Sequence, residues 1–244
     1  MSQAPDTAPV KRGRGRPRKD SQFATVNKEE IARTALEIAG REGFHSLTMH
    51  RLAEEFNVTP RALYNYISDR QEVVDLAVER LMSYTPELKL DPADWEESFR
   101  NAYRVSRESF RSFPRASLVR MEEEVSYAPG PRRTVLIERL LAFFVEIGLT
   151  LRQATVAYQS LQQDVMGYVL QFDYYYDHGD DAERAGLSYP VSAQMLKLHE
   201  GTEAPLAQQA LELPARDNNE MFEDMVNLRL LAIKAQIEQN QAAS

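Results

Sequence analysis

Apolar side chains recur at helical spacing in two short stretches near the start of the chain. The first stretch repeats at i, i+3, i+4 and i+7, which places four residues on one helical face: Met49, Leu52, Ala53 and Phe56. The second stretch turns Leu63 and Ile67 to one face and leaves polar side chains on the other. Thr48 and Thr59 suit the caps that begin the two helices, and Asn57 suits a left-handed turn between them.

Two short helices joined by a tight turn form a helix-turn-helix, whose second helix enters the major groove of DNA. The sequence VTPRALYNYISDR, which follows MHRLAEEF, resembles the DNA-binding domain of the tetracycline repressor family of bacterial regulators. The resemblance is strong over residues 28–82 and weaker beyond. Its pattern of a small cap, a Leu-Tyr pair and a following basic residue is held by Thr59, Leu63, Tyr64, Tyr66, Ile67 and Arg70. Family members more often carry His or Tyr at the position of Tyr66, Phe at that of Ile67 and Lys at that of Arg70.

The resemblance and the chemistry of the side chains together predict the DNA contacts. Hydroxyls and cations at helix ends suit phosphates, which indicates four residues: Thr48, Tyr64, Tyr66 and Arg70. Arg61, at the exposed start of the second helix, is expected to contact a base edge such as that of guanine. The predicted interface is completed by Pro60, Ala62 and Asn65 near bases, by His50 and Arg51 near bases or backbone, and by the cap Thr59.

A basic arm precedes these helices. Residues 1–26 contain few apolar side chains and are expected to be disordered. Residues 11–19 hold six basic side chains in nine. Within this run, Arg14 and Arg16 belong to an Arg-Gly-Arg-Pro sequence that resembles the core of an AT-hook, which lies along a narrow A·T minor groove. The alternative is a solvated basic tail that adds only nonspecific attraction to phosphates.

Helical periodicity continues through the rest of the chain, and no stretch alternates with the period of a strand. A helix at 27–43 supports the helix-turn-helix, and a helix at 70–84 is apolar nearly all round, which indicates a connector that is buried on two sides. Longer helices are predicted at 94–113, 134–147, 150–172 and 217–238. Residues 173–190 are predicted to form a loop.

We therefore predict an all-α fold with an N-terminal three-helix helix-turn-helix domain. The chain divides into a disordered arm at 1–26, a DNA-binding domain at 27–83, and a helical ligand-binding and dimerisation domain at 84–240. Charge supports this division. The net charge is -8, but residues 1–80 hold 13 Lys and Arg against 12 Asp and Glu, whereas residues 81–244 hold 16 against 25. Because the acidic excess lies outside the predicted DNA-binding part, the field of the protein orients that part towards DNA.

Composition and motifs exclude several classes of protein. The chain has no cysteine, which excludes disulfides and thiolate metal sites and fits a reducing cytoplasm. No apolar run approaches the ~20 residues of a membrane span, and no secretory signal is expected. Motifs for catalysis, nucleotide binding or a His-Glu-x-x-His metal site are missing, so we predict neither an enzyme nor a cofactor. His178 lies among aspartates that suit a divalent cation, and a flexible acidic loop is the favoured interpretation there.

Dimerisation and effector binding are implied by the family resemblance. The sequence DVMGYVLQF at 164–172 resembles the ligand-binding domain of the tetracycline repressor family. This implies a homodimer on a two-fold, palindromic operator, for which the helices at about 151–172 and 217–238 suit a four-helix interface. It also implies a pocket for a small, largely apolar effector. Candidate lining residues are Met121, Phe144, Tyr158, Gln162, Met166 and Phe172, and core packing is the alternative for each.

The function implied is a repressor of transcription that leaves its double-stranded DNA operator when the effector binds. In this mechanism the effector favours an arrangement in which the two recognition helices no longer match the DNA. Two alternatives stay open. One is a transcriptional activator of the same fold, and the other is an architectural protein that binds A·T-rich DNA through the basic arm.

Overall fold

The computed structural model describes residues 26–83, 88–119, 123, 131–198 and 201–243. Every regular element in these ranges is helical, which confirms the all-α fold. The predicted arm residues Arg14 and Arg16 and the predicted pocket residue Met121 lie outside the described ranges. None of the described helices has both the length and the apolar character that crossing a membrane requires.

Four helices form the head, the part of the protein that carries the helix-turn-helix. They are α1 (Lys28–Glu42), α2 (Met49–Glu55), α3 (Pro60–Leu63) and α4 (Arg70–Ser83), with a 3-10 turn at Phe44–Ser46. Local capping sets where two of them begin. Asn27 accepts a hydrogen bond from the amide of Glu30, and Thr48 accepts one from the amide of Arg51. The cap at Thr48 agrees with the sequence prediction.

The turn between α2 and α3 follows the predicted geometry with one exception. Asn57 has a φ of 51°, and the next amide, that of Val58, donates to the carbonyl of Ala53 at 3.0 Å. Thr59 was predicted to cap α3 with its side chain, but it makes no such hydrogen bond. Pro60 occupies the first helical position, where its fixed φ favours the start of a helix without a cap.

The body is built from longer helices. α5 (Trp95–Arg111) lies between 3-10 turns at Pro92–Asp94 and Pro114–Leu118, and α6 is Pro131–Glu146. α7 (Leu151–Tyr168) continues through a π-helical turn (Val169–Asp173) into α8 (Tyr174–His178). Three short helices then lead to the last long one: α9 (Asp181–Gly186), α10 (Ala193–Leu198), α11 (Pro205–Ala210) and α12 (Asn218–Ala242).

The helical continuation beyond α7 corrects the prediction that residues 173–190 form a loop. Asp173 ends the π-helical turn and is fully buried, where Arg107 donates hydrogen bonds to its carboxylate. The polar composition of the segment suggested exposure, but a carboxylate that is paired with a guanidinium can be accommodated inside. Across the described ranges, His, Asp and Glu side chains form no group of three that suits a metal ion.

Two hydrophobic cores hold the molecule together. The head core is formed by α1 to α4, but it also includes Ala116 and Val119, which follow α5 and are 0% and 3% exposed. The body core gathers large side chains from α5, α6, α7 and α12: Phe99, Tyr103, Phe144, Leu161 and Phe222. A segment that follows the first long helix of the body therefore completes the core of the head.

Candidate nucleic-acid interface and effector cavity

The second helix of the helix-turn-helix has two contrasting faces. Leu63 is fully buried and Ile67 is 3% exposed, so the head core fixes one face of α3 and the turn that follows it. On the other face, Tyr64 is 51% exposed and Tyr66 is 41% exposed, and Arg61 is exposed as well. Phenol and guanidinium groups donate the hydrogen bonds that phosphates and base edges accept. The geometry of α3 therefore suits contact with DNA.

The remaining predicted contacts differ in accessibility. Thr48, His50, Thr59 and Asn65 are exposed, whereas Pro60 and Ala62 are half-buried. Backbone hydrogen bonds hold the stretch that follows α3, because the amide of Asn65 donates to the carbonyl of Ala62 at 3.3 Å and that of Tyr66 to Leu63 at 2.9 Å. Most of the predicted contacts thus fall within one ordered stretch, residues 59–66.

Arg51 is engaged by carboxylates of the head. Its guanidinium lies 2.9 Å from Glu42 of α1 and 2.7 Å from Glu55 of α2. The hydrogen bond from Arg51 lowers the pKa of the Glu42 carboxyl below its ordinary value. Arg51 therefore ties α1 to α2, and its contact with DNA stays a prediction.

Arg70 begins α4 and also points into the molecule. It donates to the carbonyls of Leu47 and Phe44 at 2.7 and 3.0 Å, and to the two carboxylate oxygens of Glu123 at 3.0 and 2.5 Å. The hydrogen bond from Arg70 lowers the pKa of the Glu123 carboxyl, and the same bond raises the pKa of Arg70. All three guanidinium nitrogens of Arg70 therefore have partners within the protein, and its contact with a phosphate stays a prediction.

An enclosed cavity of about 50 Å³ lies among α4, α5, α6 and α7. Tyr158 and Gln162, two of the predicted pocket residues, line it together with Ser106 and a largely apolar wall. The wall includes Leu81, Met82, Val105, Phe110, Leu136 and Leu140. Ligand pockets for drug-sized molecules measure ~300–1,000 Å³. A ligand of that size therefore fits only if the surrounding helices move apart.

Three other predicted pocket residues belong to the body core and lie outside this cavity. Phe144 is fully buried, with its ring centroid 6.3 Å from that of Phe99. Phe172 stacks on Tyr168 with centroids 4.8 Å apart, and Met166 packs half-buried against the core. These three side chains pack between helices, and their place in an effector pocket stays a prediction.

A buried ionic network crosses the body, and the sequence did not predict it. Arg107 of α5 donates to both carboxylate oxygens of Asp173 at 2.9 and 2.6 Å, and Asn218 of α12 donates to the same carboxylate at 2.6 Å. The guanidinium also lies 5.1 and 4.4 Å from the ring centroids of Tyr168 and Phe222. Arg107 and Asp173 are 66 residues apart in the sequence, so local periodicity carries little sign of their pairing.

A larger and more open groove, about 790 Å³, lies at the seam between the head and the body. Gly40 of α1 permits close approach there, because a Cβ at this position would lie 2.9 Å from Cδ1 of Phe113. Arg111, which lines the groove, is paired with Asp177 at 2.5 Å. A small, largely apolar molecule needs an enclosed apolar wall, so the enclosed cavity fits the effector better than this groove does.

Comparison with known proteins gives two family matches and several relatives. The family described as bacterial regulatory proteins, tetR family, matches residues 31–77, and the tetracyclin repressor-like C-terminal domain matches residues 86–236. A helix-turn-helix-type transcriptional repressor of Mycobacterium tuberculosis is 26% identical over 169 residues, 67% of this chain and 62% of that protein. The tetracycline repressor protein class D of Escherichia coli is 24% identical over 155 residues, which are 61% of this chain and 67% of that protein.

Solved structures agree with the fold. The Streptomyces coelicolor TetR family protein ActR in complex with actinorhodin superposes with a TM-score of 0.64 at 21% identity, and covers 87% of this chain and 98% of its own. A tetracycline repressor variant of Acinetobacter baumannii in complex with minocycline gives a TM-score of 0.59 at 16% identity. The match covers 87% of this chain and 99% of that one. The C-terminal family match alone spans more than half of the sequence. Together with the helix-turn-helix match and the observed fold, it shows that the chain belongs to the tetracycline repressor family of bacterial regulatory proteins.

Proposed function

We propose that this protein is a transcriptional repressor that acts in the cytoplasm, binds a duplex DNA operator and leaves it when a small molecule binds the body. The supporting observation is the exposed face of residues 59–66, where Arg61 of α3 and Tyr64 and Tyr66 of the turn that follows it lie opposite the buried Leu63. A short helix of this kind suits a major groove. The similar Mycobacterium tuberculosis protein is a transcriptional repressor, which favours repression over activation.

We further propose that the operator is two-fold symmetric and that a homodimer binds it. α7 exposes Leu151 and Val156 at 63% and 51%, and α12 exposes Leu228 and Leu231 at 70% and 61%. Exposed aliphatic side chains on two long helices suit a four-helix interface between two copies of the chain. One short recognition helix reads few base pairs, so pairing two heads increases both affinity and selectivity.

The effector is proposed to be small and largely apolar, and to enter the cavity among α4 to α7. Tyr158 and Gln162 offer hydrogen-bonding groups in an apolar wall. Leu81 and Met82 of the connector α4 line the same cavity, so a ligand that spreads its walls displaces α4 and with it the head. The shift in operator affinity cannot exceed the difference in ligand affinity between the two arrangements.

Selection from a random-sequence duplex library tests the DNA-binding part of this proposal. The full chain is expected to enrich a two-fold symmetric site with half-sites about one helical turn, ~34 Å, apart. A chain without residues 1–26 should enrich the same site and show a weaker salt dependence. Enrichment of A·T-rich duplexes without symmetry, lost together with the arm, would support the architectural alternative instead. No enrichment by the full chain would contradict both.

Fluorescence anisotropy of the enriched duplex tests the effector part. A panel of small apolar molecules is added to the complex, together with minocycline and actinorhodin, because both of these occur in similar structures. We expect at least one member to release the duplex. Gln162→Leu should weaken this release, whereas Gln159→Leu, an exposed neighbour on α7, should leave it unchanged. If no member of the panel alters operator affinity, the effector part of the proposal fails.

A further inference from the structure

Arg70 joins three separate parts of the molecule. It lies in the first turn of the connector α4, and it holds the carbonyls of Phe44 and Leu47 in the turn between α1 and α2. Its remaining hydrogen bonds go to both oxygens of Glu123, which is 53 residues further along the chain. A guanidinium has a rigid fork of donors, so four simultaneous bonds fix its partners relative to one another.

Glu123 belongs to the segment by which the body enters the head. Its amide donates to the carbonyl of Val119 at 2.8 Å, and Val119 lies in the head core. The carboxylate side chain is 12% exposed, against 35% for Arg70. A charge pair shielded to this degree is screened less by salt than an exposed pair is, so it holds the two regions in register.

The turn that Arg70 holds leads directly into the DNA-binding surface. Leu47, whose carbonyl accepts from Arg70 at 2.7 Å, immediately precedes Thr48. Thr48 caps α2 through its hydroxyl, and α2 packs against α3 through the closing turn at Asn57. A displacement of Arg70 therefore shifts the start of α2, and with it the recognition helix.

We propose that Arg70 and Glu123 are positioning residues, which set the place of α2 and α3 relative to the body, and that Arg70 does not bind a DNA phosphate in this protein. The inference rests on the proposed function, because the surface that is positioned is the DNA-binding one. It assigns to Glu123 the role of transmitting the state of the body to the head.

Salt titrations of operator affinity separate positioning from phosphate contact. The probe is the duplex enriched in the selection experiment, and the proteins are the full chain and its R70Q, E123Q and R70K variants. A lost phosphate contact reduces the slope of log affinity against log salt by about 0.9. Positioning predicts an affinity loss of about tenfold in both R70Q and E123Q, a usual size for coupling between sites, with an unchanged slope. The double variant should lose no more than either single one.

R70K supplies the conservative comparison. A lysine ammonium satisfies a phosphate as a point charge, but it cannot reproduce four bonds from a planar fork. R70K should therefore bind as weakly as R70Q. Arg80→Gln, on the same helix and 4.0 Å from its carboxylate partner Glu29, is the matched control and should bind as the natural chain does. Restored affinity in R70K, a slope reduced by about 0.9 in R70Q, or tighter binding by E123Q would each overturn the proposal.

Hydrogen exchange on the free protein gives a readout that needs no DNA. The amides of Arg51 and Leu52 are bonded to Thr48 at 3.0 and 2.9 Å, so their protection reports the order of the start of α2. R70Q and E123Q should exchange these amides faster, and Arg80→Gln should not. Unchanged protection would overturn the positioning role while leaving the repressor proposal intact. Faster exchange in a protein that selects no duplex would contradict only the repressor proposal.

Discussion

The head and the body handle charge in different ways. In the head, the side chains of Arg51 and Glu42 pair near the surface, at 29% and 35% exposure. In the body, those of Arg107 and Asp173 pair at 9% and 1% exposure, and Asn218 completes their network. A buried pair is stable only where its hydrogen-bond geometry is complete. Of these two pairs, only that of the body belongs to a buried directional network, which favours one arrangement of its helices.

This difference matches the tasks proposed for the two regions. The head presents one rigid surface to DNA, which apolar packing around Leu63 and Ile67 provides. The body is proposed to change between two arrangements when an effector binds. Interfaces that are satisfied in discrete arrangements switch between states and do not deform gradually. The network links α5, the π-helical turn and α12, so these elements should move together.

The largest expected effect comes from removing the buried charge of the body. Asp173→Asn leaves the guanidinium of Arg107 buried without a charged partner, and breaking such a pair costs about 3–5 kcal/mol. Glu42→Gln is the matched change in the head and should cost less than about 1 kcal/mol, because its pair is near the surface. Chemical denaturation of the natural chain and the two variants measures both differences in the free energy of unfolding. Equal losses in the two variants would remove the contrast between the regions.

Truncation of an apolar core residue sharpens the contrast through the cavity. Leu140→Ala in the body and Leu36→Ala in the head, at 3% and 1% exposure, should each cost about 2–5 kcal/mol. Only Leu140 lines the existing cavity of about 50 Å³, so its truncation enlarges that space. In thermal unfolding, benzene should stabilise the Leu140→Ala protein more than the Leu36→Ala protein. Equal stabilisation of both variants would mean that the body holds no expandable cavity.

The smallest expected effect is a pH dependence on the surface of the head. The hydrogen bond from Lys28 at 2.6 Å, with bonds from Ser68, lowers the pKa of Glu72 from 4.5 to about 2. A depressed folded-state pKa stabilises the protein fully above pH 4.5, and this contribution disappears as the pH falls towards 2. The pair is largely solvated, so we expect less than about 1 kcal/mol.

Denaturation of the natural chain and of Glu72→Gln, followed from pH 6 to about 2, measures this contribution. The natural chain should be more stable than Glu72→Gln at the upper end of this pH range, and the stabilities of the two proteins should converge as the pH falls. A difference that stays constant over this range would show that Glu72 contributes through packing and not through its charge.

Features that depend on neighbouring residues were predictable from the sequence. Asn27 and Thr48 cap helices a few residues away, and Asn57 turns the chain where a left-handed residue was expected. The division of α3 into a buried and an exposed face also follows from spacing within one helix. Thr59 was an exception, because the adjacent Pro60 starts the helix without a side-chain cap.

Features that depend on distant residues were not predictable. The partners of Arg70 and Arg107 are 53 and 66 residues away, and no local pattern indicates which carboxylate will pair with which guanidinium. For this reason Arg70 was expected at a phosphate, and Asp173 was expected in a loop. The sequence also does not separate pocket residues from core residues, because apolar residues such as Phe144 that fill a core and those that line a cavity have the same helical spacing.

The exposed face of residues 59–66 is proposed to read DNA, and a double substitution on this face is the sharpest check. Selective affinity is the ratio of affinities for the enriched duplex and a scrambled one. The control is Tyr175→Ala with Arg184→Ala, which removes the same side-chain types from the surface of the body. We expect Arg61→Ala with Tyr64→Ala to lower this ratio about 100-fold with the fold intact, while the control leaves it unchanged. Unchanged selectivity in the Arg61 and Tyr64 double variant would mean that this face does not read DNA.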